Sequence, residues 1–281
     1  MERWVWIIIV FVLLLIAVPI SIKIISDKVV EKILKTQDNI FNENKVQENL
    51  EKTDEFFEKF TPQVTWEFKN GGWVYLGNPP ACQEPLTLGT PVDTNLVTSI
   101  LYPGQIRGDD FKPHGGFRFD DSYNNDITVR APLDGKILAG GNYLESGEIQ
   151  YLFDFINDCG IKYRFDHLVE LSPKLQEIAD EFSEPKEGDS RTVFTEPVII
   201  NKGEVLATAV GIQGNVFVDF GVYDLRKKNE ASQDSAWLKE HDGDQAPYAV
   251  CWLDLLSDED SNKLKSLPGA DGVSGKESDY C

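Results

Sequence analysis

Apolar residues run almost unbroken from residue 4 to residue 22, through Trp, Val, Ile, Phe, Leu and Ala, with Glu2-Arg3 before the run and Lys23 after it. A helix of about 20 such residues crosses the hydrocarbon core of a bilayer. A cleaved secretory signal would have a shorter apolar region ending in an Ala-x-Ala-like site, and none follows Ala17-Val18-Pro19. The pattern predicts an uncleaved N-terminal transmembrane anchor over residues 1–25. From residue 26 to 60 the chain is charged and holds no Gly or Pro, and Val30, Ile33, Ile40, Val46, Leu50 and Phe57 recur at near-helical spacing. This predicts a helical stalk, either a coiled-coil spacer or a helix packed on its own domain. Thr61-Pro62 ends it.

The period then drops to two. Val64-Thr65-Trp66-Glu67-Phe68 and Trp73-Val74-Tyr75-Leu76 alternate on either side of Asn70-Gly71-Gly72, a hairpin signal. With loops at Pro79-Pro80 and Pro91, residues 61–110 read as an N-terminal β region that augments a larger sheet. Trp66 and Trp73 are expected in its core; lining a glycan groove is the alternative. Residues 111–226 form the core domain, with strands expected at 116–119, 127–130, 135–139, 148–156, 161–165, 205–210 and 215–223. One helical insertion interrupts them. Leu175, Ile178, Ala179 and Phe182 share a helical face, Ser172-Pro173 supplies the N-cap and first-turn proline, and a loop over 183–197 follows. Residues 227–281 form a C-terminal extension with short helices around Trp237 and Trp252 and a polar, Gly-rich stretch over 269–278.

A hydrophobic content of 41% over 281 residues supports one substantial core with appendages. The formal charge of −20 argues against nucleic acid and anionic lipid surfaces as partners. Four cysteines, Cys82, Cys159, Cys251 and Cys281, lack any Cys-x-x-Cys spacing, so a zinc knuckle or thioredoxin-like motif is not indicated. Two disulfides are expected. Of the three possible pairings, Cys82–Cys159 with Cys251–Cys281 is preferred; buried thiols in a reducing compartment are the alternative.

Candidate chemistry gathers at Lys112-Pro113-His114-Gly115-Gly116-Phe117-Arg118-Phe119-Asp120, followed by Val129-Arg130-Ala131-Pro132-Leu133-Asp134-Gly135. A histidine followed by a Gly pair suggests a strand edge where backbone and ligand approach closely. Further on come Tyr163-Arg164-Phe165-Asp166-His167-Leu168, Asn201-Lys202-Gly203-Glu204 and Val216-Phe217-Val218-Asp219-Phe220. In this order the segments resemble the lysostaphin-type zinc metallopeptidase domain, with its H-x-G-x-D strand, A-P-x-D-G turn, Y-x-H-L segment, K-x-G turn and terminal H-x-H strand. The resemblance implies a mainly β fold, an antiparallel sheet or barrel-sandwich hybrid of the lysostaphin-like type.

In that family zinc is held by the first His, the Asp four residues on and the second His of H-x-H. Carried over by position, His114 is kept, the Asp becomes Arg118, the H-x-H pair becomes Phe217 and Asp219, and His167 is kept. An arginine cannot lose its proton to become a ligand. The expectation is that Arg118 and Phe217 fill the site, that Arg118 pairs with Asp219, and that no cofactor binds. The resemblance then implies a membrane-anchored, non-catalytic domain binding a cell-envelope polymer or a partner protein. The alternative is a zinc endopeptidase acting on cell-wall peptides, with His114, Asp219 and an unconventional third ligand, and with His167 as the catalytic acid/base. Asp120, on the same strand face as His114 and Arg118, is a candidate for that ligand if a bulge shortens the span. A structural role for His167 remains open, and His241 reads as a surface residue. A lipoyl-like carrier scaffold shares the turns, but the carrier lysine is absent. Lys23, Lys28, Lys32 and Lys35 after the span favour a cytoplasmic domain; the cysteines and the resemblance favour an extracytoplasmic one, which is the expectation.

Overall fold

The computed structural model describes residues 64–281, so the expected anchor and stalk lie outside the described residues. Among the described residues no helix is long and apolar enough to cross a membrane. Strands β1 (Thr65–Lys69) and β2 (Gly72–Leu76) form the hairpin predicted by the alternation, with Lys69 opposite Gly72. Asn70 and Gly71 turn it with φ of 54° and 76°, the left-handed pair that a two-residue hairpin loop demands.

The elements that follow are β3 (Ser99–Leu101), β4 (Gln105–Arg107), β5 (Asp110–Lys112), β6 (Gly115–Arg118), β7 (Val129–Arg130), β8 (Gly135–Glu145), β9 (Glu148–Ile156) and β10 (Ile161–Leu168). Helix α1 (Pro173–Ala179) leads to β11 (Val193–Phe194), β12 (Ile199–Ile200), β13 (Val205–Ala207) and β14 (Phe217–Asp224). Helices α2 (Ser235–Glu240) and α3 (Asp258–Ser266) lie in the C-terminal extension. The main sheet has eight strands in the order β11-β8-β9-β10-β14-β6-β3, with β12 also on β8, and every pairing is antiparallel. The chain is thus mainly β with few helices. Because β3 joins this sheet, the region before residue 110 and the core domain share one compact unit, Val64–Cys281.

The two-residue strand period gives the central strands two different faces. On one face Phe117, Phe153, Phe155, Tyr163, Phe165 and Phe220 are fully buried, with Phe155 stacked on Tyr163 at 4.8 Å and Phe165 on Phe220 at 4.8 Å. Trp252, from a 3-10 turn over Trp252–Leu255, closes this face at 4.7 Å from Phe117, and α1 adds Leu175 and Ala179. Ser172 Oγ accepts from Leu175 N and caps α1 as its sequence predicts. Burying each such aromatic is worth roughly 1.5–3 kcal/mol, which makes this layer the main source of cohesion.

Glycines 115 and 116 do not mark an edge. β6 lies between β14 and β3; a Cβ on Gly115 would fall 2.2 Å from Leu101 O, and one on Gly116 would fall 2.5 Å from Val218 O. The pair admits neighbouring backbone rather than a ligand. Both disulfides form in the preferred pairing, Cys82–Cys159 and Cys251–Cys281.

Candidate functional site

The second face of the central strands is polar and nearly as buried as the first. Tyr223 and Asp219 on β14, Lys162, Arg164 and Asp166 on β10, and Asp154 on β9 alternate with the aromatic layer, and all six are buried or nearly so. Lys162 Nζ lies 3.1 Å from Asp154 Oδ2, and Arg164 Nη2 donates to Asp166 Oδ2 at 3.1 Å. Tyr143 on β8 donates its hydroxyl to Asp166 Oδ1 at 2.7 Å. Burial pushes the Tyr143 phenol up, and the Asp166 charge pushes it further, so it remains a donor. Burial opposes the charge on Arg164, but Asp154 and Asp166 outweigh it and raise its pKa.

This row of charges ends at His114, His167 and Asp219. Asp219 stands opposite Gly116 and Asp166, and the missing side chain at Gly116 gives its carboxylate room. His114, just before β6, packs beside Gly221. His167 sits where the register of β10 against β9 shifts, with a left-handed φ of 64° that non-glycine residues seldom adopt. That bulge brings its ring to the cleft. Asp219 Oδ2 lies 3.0 Å from His114 Nε2 and 3.7 Å from His167 Nε2. On its other side His167 Nδ1 meets Gln150 Oε1 at 2.5 Å and Tyr143 Oη at 3.0 Å. Burial alone would push the Asp219 carboxyl up; His114, His167 and Arg107 outweigh it and hold the carboxyl well below the usual carboxylate range. The cleft above these groups has a volume of about 370 Å³, with Lys112, Glu145 and Ser190 also on its walls.

The structure therefore brings His114, His167, Asp219 and Phe217 together, with the Phe217 ring 4.1 Å from that of His167. It places Arg118 differently from expectation. Arg118 donates to Asp120 through Nε at 3.2 Å and Nη2 at 2.9 Å and lies 5.7 Å over the Phe217 ring. The reason is register: Arg118 faces Phe217 across the ladder, two residues short of Asp219, and Asp120 is the nearer anion. The cation beside Asp219 is instead Arg107 of β4, with Nη1 3.8 Å from Oδ1 and Nη2 donating to the His114 carbonyl at 2.8 Å. Asp120 is also held by Thr98 and does not line the cleft. His241 stacks on Phe111 at 4.0 Å instead of standing free. Sequence reasoning missed Arg107, Tyr143, Gln150, Arg164 and Asp166, of which only Asp166, adjoining His167, carried a local signal.

These donors do not fit the zinc of the family that the motifs resemble. One ligand position is a guanidinium, which has no lone pair to give. A second guanidinium approaches Asp219. Among the described residues no three His, Cys, Asp or Glu side chains are placed to share an ion. What the cleft does present is a mixed array of hydrogen-bond donors and acceptors beside an aromatic ring.

No family model matches the chain. No curated protein matches it either. Among solved structures it is similar to Csd3 from Helicobacter pylori in its orthorhombic crystal, with a TM-score of 0.32 and 14% identity, covering 63% of this chain and 49% of that one. The match thus spans about half the length of that structure.

Proposed function

We propose that residues 64–281 are a lysostaphin-like domain that has exchanged hydrolysis for binding, holding a cell-envelope polymer or a partner protein in the cleft around His114, His167 and Asp219. The observation that carries this reading is the commitment of Asp219. At a position where the family's pattern calls for a ligand histidine, this carboxylate faces His114 at 3.0 Å and Arg107 at 3.8 Å. A dication there would compete with a fixed guanidinium, a like-charge contact of about 4 kcal/mol per unit charge pair at 4 Å and an effective dielectric near 20. Two disulfides support an oxidising, extracytoplasmic setting for the domain. Residues 1–25 serve as the membrane anchor in this reading. The charge of −20 directs it toward neutral or cationic ligands.

Elemental analysis of the full-length protein, paired with co-sedimentation on insoluble cell-wall material, tests the proposal. Retention on the wall material without zinc, unaffected by a chelator and without release of soluble peptide fragments, is the expected result. Stoichiometric zinc that disappears in His114→Ala, accompanied by fragment release, would overturn it in favour of an endopeptidase.

A further inference from the structure

One wall of the cleft is built on a hairpin that the main sheet does not hold. β4 and β5 form a two-stranded sheet of their own, carrying Arg107 and Lys112 and leading directly into His114. Residues 268–281 grip this hairpin from behind. Ile100 N donates to Pro268 O at 3.0 Å and Ala270 N to Ile100 O at 2.7 Å, laying the segment along β3. Gln105 Nε2 then donates to Gly275 O at 3.1 Å and Glu277 O at 2.8 Å. Ser274 Oγ donates to Ile106 O, Ser278 Oγ to Pro103 O, and Asp279 N to Gly104 O. Gln105 is 2% exposed, so its amide has no water to replace those carbonyls. Tyr280 fits so closely over Gly104 that a Cβ there would lie 2.8 Å from its ring, and it meets Phe111 of β5 edge-on.

The segment is latched by Cys251–Cys281, and the two bridges differ in access. Cys281 is exposed, whereas its partner Cys251, like Cys82 and Cys159, is buried in the core. We propose that residues 268–281 are a redox-latched strap: closed, it holds the β4–β5 hairpin with Arg107 against Asp219 and His114; opened by a dithiol reductant, it frees that wall of the cleft. In the opening step a reductant thiolate attacks the sulfur of Cys281, and the S–S bond breaks with Cys251 leaving and taking up a proton. The second reductant thiol then displaces Cys281, so the reductant becomes a disulfide and the protein gains two thiols. The device does not depend on which ligand the cleft takes, or on whether it takes one.

Hydrogen–deuterium exchange of the full-length protein, without ligand, reads the strap directly. In Cys281→Ser, exchange over residues 101–114 and 268–281 should quicken by about tenfold or more while β9 and β10 keep their protection. Gln105→Ala should quicken the hairpin with the disulfide intact. Limiting dithiothreitol on the parent protein should open Cys251–Cys281 before Cys82–Cys159 and reproduce the Cys281→Ser pattern, which covers the case of a variant that fails to fold. Hairpin exchange within about twofold of the parent in the opened state, or prior opening of Cys82–Cys159, would overturn the proposal.

Discussion

At the scale of single residues, Asp219 and His167 define what the cleft asks of its side chains. The Asp219 carboxyl titrates below its unfolded value of about 4, so its contribution is complete above that value and is lost as pH falls through the depressed folded pKa. Asp219→Asn leaves Arg107 and the two histidines without their anion, and stability at pH 7 should fall by about 3–5 kcal/mol, as for other broken buried pairs. Urea unfolding at pH 7 and pH 3 should show the gap from the parent narrowing in acid; a gap that widened would contradict the assigned shift. His167 tests a different quantity, the backbone. Its φ of 64° disfavours any residue with a Cβ, so His167→Gly should be more stable than His167→Ala by about 1 kcal/mol, measured by the same unfolding assay. Motif spacing made His114, His167, Phe217 and Asp219 legible in the sequence. Arg164 was not, because polar residues at every second strand position read as a solvated face, and Arg107 and Tyr143 fell outside the expected strands altogether. In β10 and β14 that face is covered, and its charges pair with one another, Lys162 with Asp154 and Arg164 with Asp166, while among the described residues Asp154 Oδ1, Arg164 Nε and Asp219 Oδ1 keep no hydrogen-bond partner.

At the scale of elements, the sequence was informative where turn chemistry and hydrophobic period agreed, and silent where either was missing. Asn70-Gly71 placed the first hairpin, and Ser172-Pro173 the start of α1. The strand expected over 135–139 stops just before Gly140-Gly141, whereas β8 continues to Glu145. Those glycines are packing positions. A Cβ on Gly140 would lie 2.7 Å from Phe182 Cζ, and one on Gly141 would lie 2.5 Å from Arg191 O. Gly141→Ala should therefore push the 183–197 loop off β8, seen as faster proteolysis within that loop while the rest of the sheet resists. Helix α3 escaped notice because Leu264 is its one apolar residue, too few to set a helical period. Its signals were electrostatic: Ser257 as cap, Asp258, Glu259 and Asp260 in the first turn, Lys263 and Lys265 in the last.

At the scale of the whole molecule, covalent ties compensate for irregular connections. Cys82–Cys159 spans 77 residues and Cys251–Cys281 spans 30. In the chain-entropy picture, removing the longer tie should cost about 1 kcal/mol more than removing the shorter, on top of several kcal/mol common to both. Thermal unfolding of the paired Cys→Ser variants checks the order. The expected augmentation of a larger sheet by residues 61–110 is made by β3, which pairs with β6, though no local pattern names that partner, fifteen or so residues away in another strand. The same sheet has a consequence for crowding. At one end β3 is only three residues long and Ile100 spends its outward N–H and C=O on Pro268 and Ala270; at the other, β8 is met piecemeal by β11, β12 and the bridge from Leu144 to Glu187. Among the described residues no long row of vacant amides remains at either margin of the main sheet, so copies packed densely side by side have little means of extending that sheet into a continuous ribbon.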